Sequence, residues 1–433
     1  MNATPRNENS GSAGEPVDMR LDRWEQSDRS AFQAVRSRCR LSRQQVQLSR
    51  FALLGLTGAI AASLTWQQPI PALASYGGYH STELSTTFES INIFGDSLVD
   101  AGNLFELTSE FSSAGVPALP PSPPYAQKFS NGDLWVEKLA GALNLSPALR
   151  VDLATDPDIA DPREGINFAF AGALSSDSNL IEADLPDLAS SLPGLQEQIN
   201  EFSVISSALP NISESLNIIW AGSNDYIAVI ANPELLEDVS LAQLPDVVTD
   251  NIVSSLGQLS SVGAKDFLVV NLPPLGDTPF ADFLDAQSEA DIPSTFNQLA
   301  AAHNAQLSQR LSEFGFNNPD ANIISLDVNT LFANVANSPD EFGLTNTTES
   351  CLTNFQPGFQ FEGVCENPDQ FLFWDDVHPT AATHRIIGDF AIATLQGDKH
   401  ASVPEHRSPL PLFLGGAVSA GALVKRRWEK RLL

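Results

Sequence analysis

Positive charge is what this sequence has least of where it matters. Across its 433 residues it carries 23 Lys and Arg against 53 Asp and Glu, and most of the cations are at the ends. Residues 75–402 hold eight basic residues against 45 acidic ones, a net of −37. A body this acidic repels phosphate backbones and anionic surfaces, which excludes DNA or RNA as a partner. Cysteine is scarce as well. Of three, Cys39 precedes the body, leaving Cys351 and Cys365. Two cysteines offer no second pair of ligands for a structural zinc. They either join, closing a loop worth about 3 kcal/mol of chain entropy, or stay as two buried thiols. The six histidines supply no convincing set of metal ligands, and no metal or other cofactor is expected. Long hydrophobic runs are missing too. The two longest candidates fall short of the ~20 residues that span a bilayer comfortably.

Those two runs sit at the ends and read as processing signals. Arg36, Arg38, Arg40, Arg43 and Arg50 lead into the apolar stretch 51–66, and Ala72-Leu73-Ala74 follows. A positive region, an apolar region and a small-residue site are the layout of a secretory signal, with cleavage expected after Ala74. An uncleaved anchor is the alternative, and Met19 is a second candidate start. At the other end, an apolar segment from Pro409 to Val424 precedes Lys425-Arg426-Arg427, an arrangement that can hold a chain at a membrane with its cations inside. The expected division is therefore 1–74 extension and signal, 75–402 a single folded domain, and 403–433 a sorting or anchoring segment. The expected location is outside the cytoplasm: extracellular, periplasmic or on the cell surface.

Within the body, short apolar runs alternate with helical patterns. The runs are Ile91–Phe94, Ile166–Phe170, Leu216–Trp220, Phe267–Leu272 and Ile323–Leu326. Amphipathic stretches lie near 187–208, 241–262, 293–314 and 380–396, and a shorter one follows Asn131-Gly132-Asp133. In the third of them Phe296, Leu299, His303, Leu307 and Leu311 share a face. Such alternation predicts a parallel five-stranded sheet covered by helices on both sides.

Each strand end carries a polar group. Gly95-Asp96-Ser97 breaks the first run, Ala171-Gly172-Ala173 the second, and Gly222-Ser223-Asn224-Asp225 the third, while Asp375-Asp376-Val377-His378 precedes the last helix. Ligands bind at the carboxyl edge of such sheets. Taken singly, each is an ordinary turn or helix cap, and Asp-x-x-His is also a metal-ligand spacing. Together they provide what ester cleavage needs: Ser97 as nucleophile, His378 as base, Asp375 to orient it, and the N–H groups of Ser97 and Gly172 with the Asn224 amide for the oxyanion. A helix beginning just beyond Ser97 would add its free N–H groups. Apolar loop residues Phe111, Val116, Leu119 and Tyr125 are candidates for an acyl groove. No G-x-S-x-G occurs, which excludes the α/β-hydrolase nucleophile elbow.

Four blocks, Phe94-Gly-Asp-Ser-Leu-Val-Asp-Ala-Gly-Asn103, Gly165–Ala173, Trp220-Ala-Gly-Ser-Asn-Asp-Tyr226 and Trp374-Asp-Asp-Val-His-Pro-Thr380, resemble in that order the SGNH or GDSL-type esterases and lipases. Phe129–Glu137 and Val270–Pro279 look like the larger, lipase-like branch. The resemblance implies a flavodoxin-like three-layer α/β/α sandwich and a serine ester hydrolase. Its triad would be Ser97, Asp375 and His378, with Gly172 and Asn224 in the oxyanion hole. The apolar loop residues Phe111, Val116, Leu119 and Tyr125 lean toward a lipid or short-chain acyl ester as substrate. An acetyl-glycan esterase, a phospholipase or acyltransferase, and a non-catalytic surface binding module are the alternatives. The tail 403–433 resembles a PEP-CTERM sorting segment, with His406 where a second proline is usual, which would associate the protein with a membrane or cell surface.

Overall fold

The computed structural model describes residues 88–155, 162–231, 240–356 and 359–397. The secretory-signal and sorting-tail segments, 1–74 and 403–433, lie outside these. Among the described residues no helix is long and apolar enough to cross a membrane.

The centre is a parallel sheet. Its strands are β1 (Ser90–Gly95), β2 (Ala148–Leu149), β3 (Ile166–Asn167), β4 (Ser215–Trp220), β5 (Asp266–Val270) and β6 (Asn322–Leu326), in the order β2-β3-β1-β4-β5-β6. The sheet has six strands rather than five. The extra one, β2, is two residues long, too short to leave a periodic trace. The β1–β4 ladder runs from Ser90 against Ser215 to Gly95 against Trp220, which brings both strand ends to one edge. Beyond β3 the chain still follows β1, through the Phe168 N–H to Ile93 O (2.8 Å) and the Phe170 N–H to Gly95 O (3.1 Å).

Both faces of the sheet are buried, so its strands read as unbroken apolar runs. Helices α1 (Asn103–Glu110), α2 (Trp135–Ala142), α3 (Arg150–Thr155), α4 (Leu195–Ile205), α5 (Ser223–Ala231), α6 (Leu244–Ser261), α7 (Pro279–Asp285), α8 (Ile292–Asn317), α9 (Val328–Asn337) and α10 (Ala381–Gly397) cover it. Ile91, Ile93, Ile218, Trp220, Leu268 and Leu326 point toward α2, α9 and α10. Phe94, Ile219, Phe267, Val269 and Ile323 point toward α4, α6 and α8. Successive strand residues alternate sides, and the result is the expected three-layer sandwich. The stripe on α8 is as read: Phe296, Leu299, His303, Leu307 and Leu311 are buried, behind an Asp291 cap that accepts from the Ser294 N–H at 3.0 Å.

The 187–208 helix is shorter than expected. It starts only at Leu195, because Pro193 disfavours helical geometry before it and has no N–H to give. Between α9 and α10 lie four short strands: β7 (Asn346–Ser350), β8 (Leu352–Thr353), β9 (Gly363–Val364) and β10 (Phe371–Phe373). β10 runs parallel to β7, and β8 pairs antiparallel with β9. Cys351 and Cys365 are joined here as a disulfide. The N–H groups of Cys351 and Leu352 donate to Phe373 O and Trp374 O at 3.0 and 2.8 Å, stitching the hairpin to the segment that ends in Asp375.

Candidate active site

Ser97 sits in the turn that ends β1. Asp96 closes the turn: its carbonyl accepts the Val99 and Asp100 N–H groups at 3.1 and 2.9 Å, and its Oδ1 accepts the Leu98 N–H at 3.0 Å. The Ser97 N–H has no acceptor among the described residues. The expected helix does not start there. α1 begins six residues on, at Asn103, because Asp100 intervenes as its cap, accepting from Gly102 and Asn103 through Oδ1 (2.9 and 2.6 Å) and from Leu104 through Oδ2 (3.2 Å).

From 281 residues downstream, His378 turns its Nε2 to within 2.9 Å of Ser97 Oγ. Its Nδ1 lies 2.8 Å from Asp375 Oδ2 and 2.9 Å from Oδ1. An ionised carboxylate only accepts, so Nδ1 carries the proton and Nε2 faces the serine hydroxyl with its lone pair. Asp375 Oδ1 also takes the N–H groups of Val377 and His378 at 3.0 and 2.7 Å, so the Asp-x-x-His spacing is a tight turn that orients the imidazole. Phe129 packs on the imidazole at 4.8 Å between ring centres. Ser130 Oγ donates to Pro379 O at 3.0 Å and Asn131 Oδ1 accepts the Ala381 N–H at 2.7 Å.

Burial works to raise the Asp375 carboxyl, but the His378 charge, its hydrogen bond and the two backbone N–H groups hold it below its ordinary 3.8. For His378, burial pulls down, while Asp375, then Asp376 and Asp96, prevail and lift it above 6.5. Burial pushes Asp96 up to about 7 and Asp100 up to about 6.

The second and third blocks meet beside the serine. The Gly172 N–H has no acceptor among the described residues, and its loop is clamped on three sides. The Ala171 N–H donates to Asp100 Oδ2 at 2.9 Å, Asn179 Nδ2 donates to Ala171 O at 2.9 Å, and Asn224 Nδ2 donates to Ala173 O at 3.0 Å. One amide N–H of Asn224, at the start of α5, is thereby used and the other has no acceptor among the described residues. Asp225 ties the same helix start to Ser175, through the backbone at 2.9 Å and the hydroxyl at 2.8 Å.

Ser97, Asn224 and His378 line one cleft of about 840 Å³, its open mouth included. Asp375 stands behind His378, and Gly172 touches the group through its loop rather than lining the cleft. The cleft wall is built from Leu98, Ile227, Leu275, Phe280, Phe296 and Phe332, with other apolar residues between them. The loop residues expected there are elsewhere: Val116 and Leu119 pack against a separate apolar cluster that includes Leu104, Phe129 and Phe170, and Phe111 faces solvent. Tyr125 points its hydroxyl at Asp375. The clamps at Asp100, Asn179 and Asp225 are not evident from the sequence: Asp100 and Asp225 show only their polarity beside strand ends, and Asn179 lies in a loop well past β3. Among the described residues, no three His, Cys, Asp or Glu cluster as a metal site.

Residues 91–391 match the model of a family described as GDSL-like Lipase/Acylhydrolase. A GDSL esterase/lipase of Arabidopsis thaliana is 25% identical over 316 residues, covering 69% of this chain and 87% of that protein. A second from the same plant is 30% identical over 354 residues, covering 72% and 90%. A solved structure described as an alpha/beta hydrolase enzyme from the metagenome of Lake Arreo, Spain, covers 72% of this chain and 98% of that one. It does so at 14% identity and a TM-score of 0.34, a likeness too loose to bear on function.

Proposed function

Since the chain belongs to the GDSL-like lipase/acylhydrolase family and is a hydrolase of ester bonds, we propose that it cleaves carboxylic esters through an acyl-enzyme formed on Ser97. The observation that carries this reading is the hydrogen-bonded line from Ser97 Oγ through His378 to Asp375, at 2.9 and 2.8 Å. Ser97 Oγ attacks the carbonyl carbon while His378 Nε2 takes its proton. Asp375 keeps the imidazole in the required tautomer and stabilises the imidazolium that forms. In this reading the oxyanion turns toward the N–H groups of Ser97 and Gly172 and the spare Asn224 amide proton, fixed donors of the kind that stabilise charge as it develops. Collapse expels the alcohol with the proton from His378. Water then attacks the acyl-enzyme by the same route in reverse.

The cleft favours an acyl chain over a sugar. Its wall is mostly apolar, from Leu98, Ile227, Leu275, Phe280, Phe296 and Phe332. Of the polar residues among them, Thr278 donates to Leu275 O at 2.8 Å and Asp277 accepts from Asn297 Nδ2 at 2.8 Å, while Ser223 Oγ has no partner among the described residues. Each methylene buried adds about 0.8 kcal/mol, so kcat/KM for p-nitrophenyl esters should climb roughly fourfold per added CH₂ from acetate to hexanoate. A preference for acetyl groups on sugars would support the glycan reading instead. A fluorophosphonate probe should attach to Ser97 and fail on Ser97→Ala. Attachment to any other serine overturns the assignment.

Export belongs to the same proposal. The layout of 36–74 and the joined Cys351 and Cys365 support it, since disulfides persist in oxidising compartments. Membrane or surface association through 403–433 rests on its apolar and basic pattern. Mass spectrometry of the mature chain should find Ser75 at the amino end.

A further inference from the structure

Tyr125, in the proline-rich loop before α2, is 3% exposed. Its ring is enclosed by Phe129, Phe359 and Trp374 in edge contacts at 6.1, 5.9 and 6.0 Å, and its hydroxyl lies 2.7 Å from Asp375 Oδ2. We propose that Tyr125 is a positioning residue of the hydrolytic site, extending the line to four members by donating its hydroxyl to the Asp375 carboxylate. This rests on the triad reading above and adds to it a residue that touches neither substrate nor imidazole.

The carboxylate's partners show what the phenol contributes. Oδ1 is held by two backbone N–H groups, at 3.0 and 2.7 Å. Oδ2 has the imidazole at 2.8 Å and Tyr125. Without the phenol, Oδ2 keeps the imidazole alone. The carboxylate then loses a restraint on its rotation and a neutral donor that shares its charge. Burial and the charges of Asp375 and Asp376 push the phenol well above its ordinary range, so it stays a donor at every working pH.

The direction of the effect follows from the charges around the base. Asp375, Asp376 and Asp96 face His378 and favour its imidazolium. His384, on α10, is pushed down to about 3 by burial and the neighbouring cations and is neutral. Lys128 pairs with Glu137 and Asp133. Removing the Tyr125 donor leaves more negative charge on Asp375 for the imidazolium to meet. The base then holds its proton to higher pH, where a merely structural loss would leave the limb in place.

The test is kcat and KM against pH for the full chain, Tyr125→Phe, Asp375→Asn and the double variant. Tyr125→Phe should lower kcat roughly tenfold, the equivalent of one charge-assisted hydrogen bond, leave KM unchanged, and move the acid limb to higher pH. In the Asp375→Asn background the same change should do nothing further, which keeps the test decisive even where Tyr125→Phe lowers the melting temperature. A limb that stays put, or an equal loss in both backgrounds, overturns the proposal. Retained activity in Ser97→Ala would instead overturn the triad reading beneath it.

Discussion

Gly172 and Gly165 flank the same sequence block, and replacing each by alanine should break different things. At Gly172 the backbone has φ +80°, a region that costs an L residue about 1–2 kcal/mol. A Cβ there would come within 2.5 Å of Asn179 Oδ1 and 2.8 Å of Ile181 Cγ1. Asn179 cannot swing away, because its Oδ1 accepts the Ile181 N–H at 2.9 Å and its Nδ2 donates to Ala171 O at 2.9 Å. The loop itself must therefore move by roughly half an ångström to restore contact distance, taking the Gly172 N–H with it. A misplaced oxyanion donor costs up to about 10²–10³ in kcat. Gly172→Ala should therefore lose roughly 10²-fold in kcat at near-normal KM, with Tm down by about 2–6 °C. At Gly165, with φ +110°, a Cβ would meet the backbone oxygen of Ile91 at 1.9 Å, against a strand with no room to yield. Gly165→Ala should reduce soluble folded protein, and whatever folds should keep its kcat. Purified variants assayed on p-nitrophenyl butyrate and melted in parallel read out both. Wild-type kcat in Gly172→Ala, or the same phenotype from both alanines, would refute the reasoning.

Asn224→Ala should cut kcat by about 10²–10³ with little change in KM; an unchanged kcat would remove Asn224 from the oxyanion site. Replacing Cys351 and Cys365 by alanine should lower stability by about 3 kcal/mol and also reduce kcat, since the hairpin they close holds the strand leading to Asp375; an unshifted melt would count against this. Burial lifts Asp96 to about 7 and Asp100 and Asp225 to about 6, from 3.8. The folded protein thus binds more protons than the unfolded chain between pH 3.8 and about 7. Their contribution is complete below 3.8 and is lost as pH rises through 6 to 7. Unfolding free energy should be greater at pH 5 than at pH 8, by on the order of a few kcal/mol, with melting temperatures in the same order; the opposite order would refute it.

What was legible in the sequence is what local chemistry dictates. The stripe from Phe296 to Leu311 repeats at helical spacing, and buried strands are runs of β-branched and aromatic residues, so α8 and the long strands could be placed. Ser97, His378 and Asp375 stand out in the sequence as candidates because few residue types can do each task and each lies near a strand end, and the structure brings the three into one hydrogen-bonded line. The cleft wall was not. Phe280, Phe296 and Phe332 come from three helices whose convergence is set by packing across the sheet, whereas Val116 and Leu119 looked equally suitable and pack elsewhere. Tyr125 was read as part of an acyl surface because its burial follows from Phe359 and Trp374, more than 200 positions away. β2 escaped notice because two residues carry no period.

The distance along the chain between Ser97 and His378 has a consequence for the cell that makes this protein. Under the proposed mechanism a ribosome releases the hydroxyl long before the imidazole that would deprotonate it, and the cleft between them is lined as far along the chain as Pro379. By that mechanism a nascent or unfolded chain would be chemically silent toward the esters of its own maker, with hydrolysis beginning only once Ser97 and His378 have been folded together.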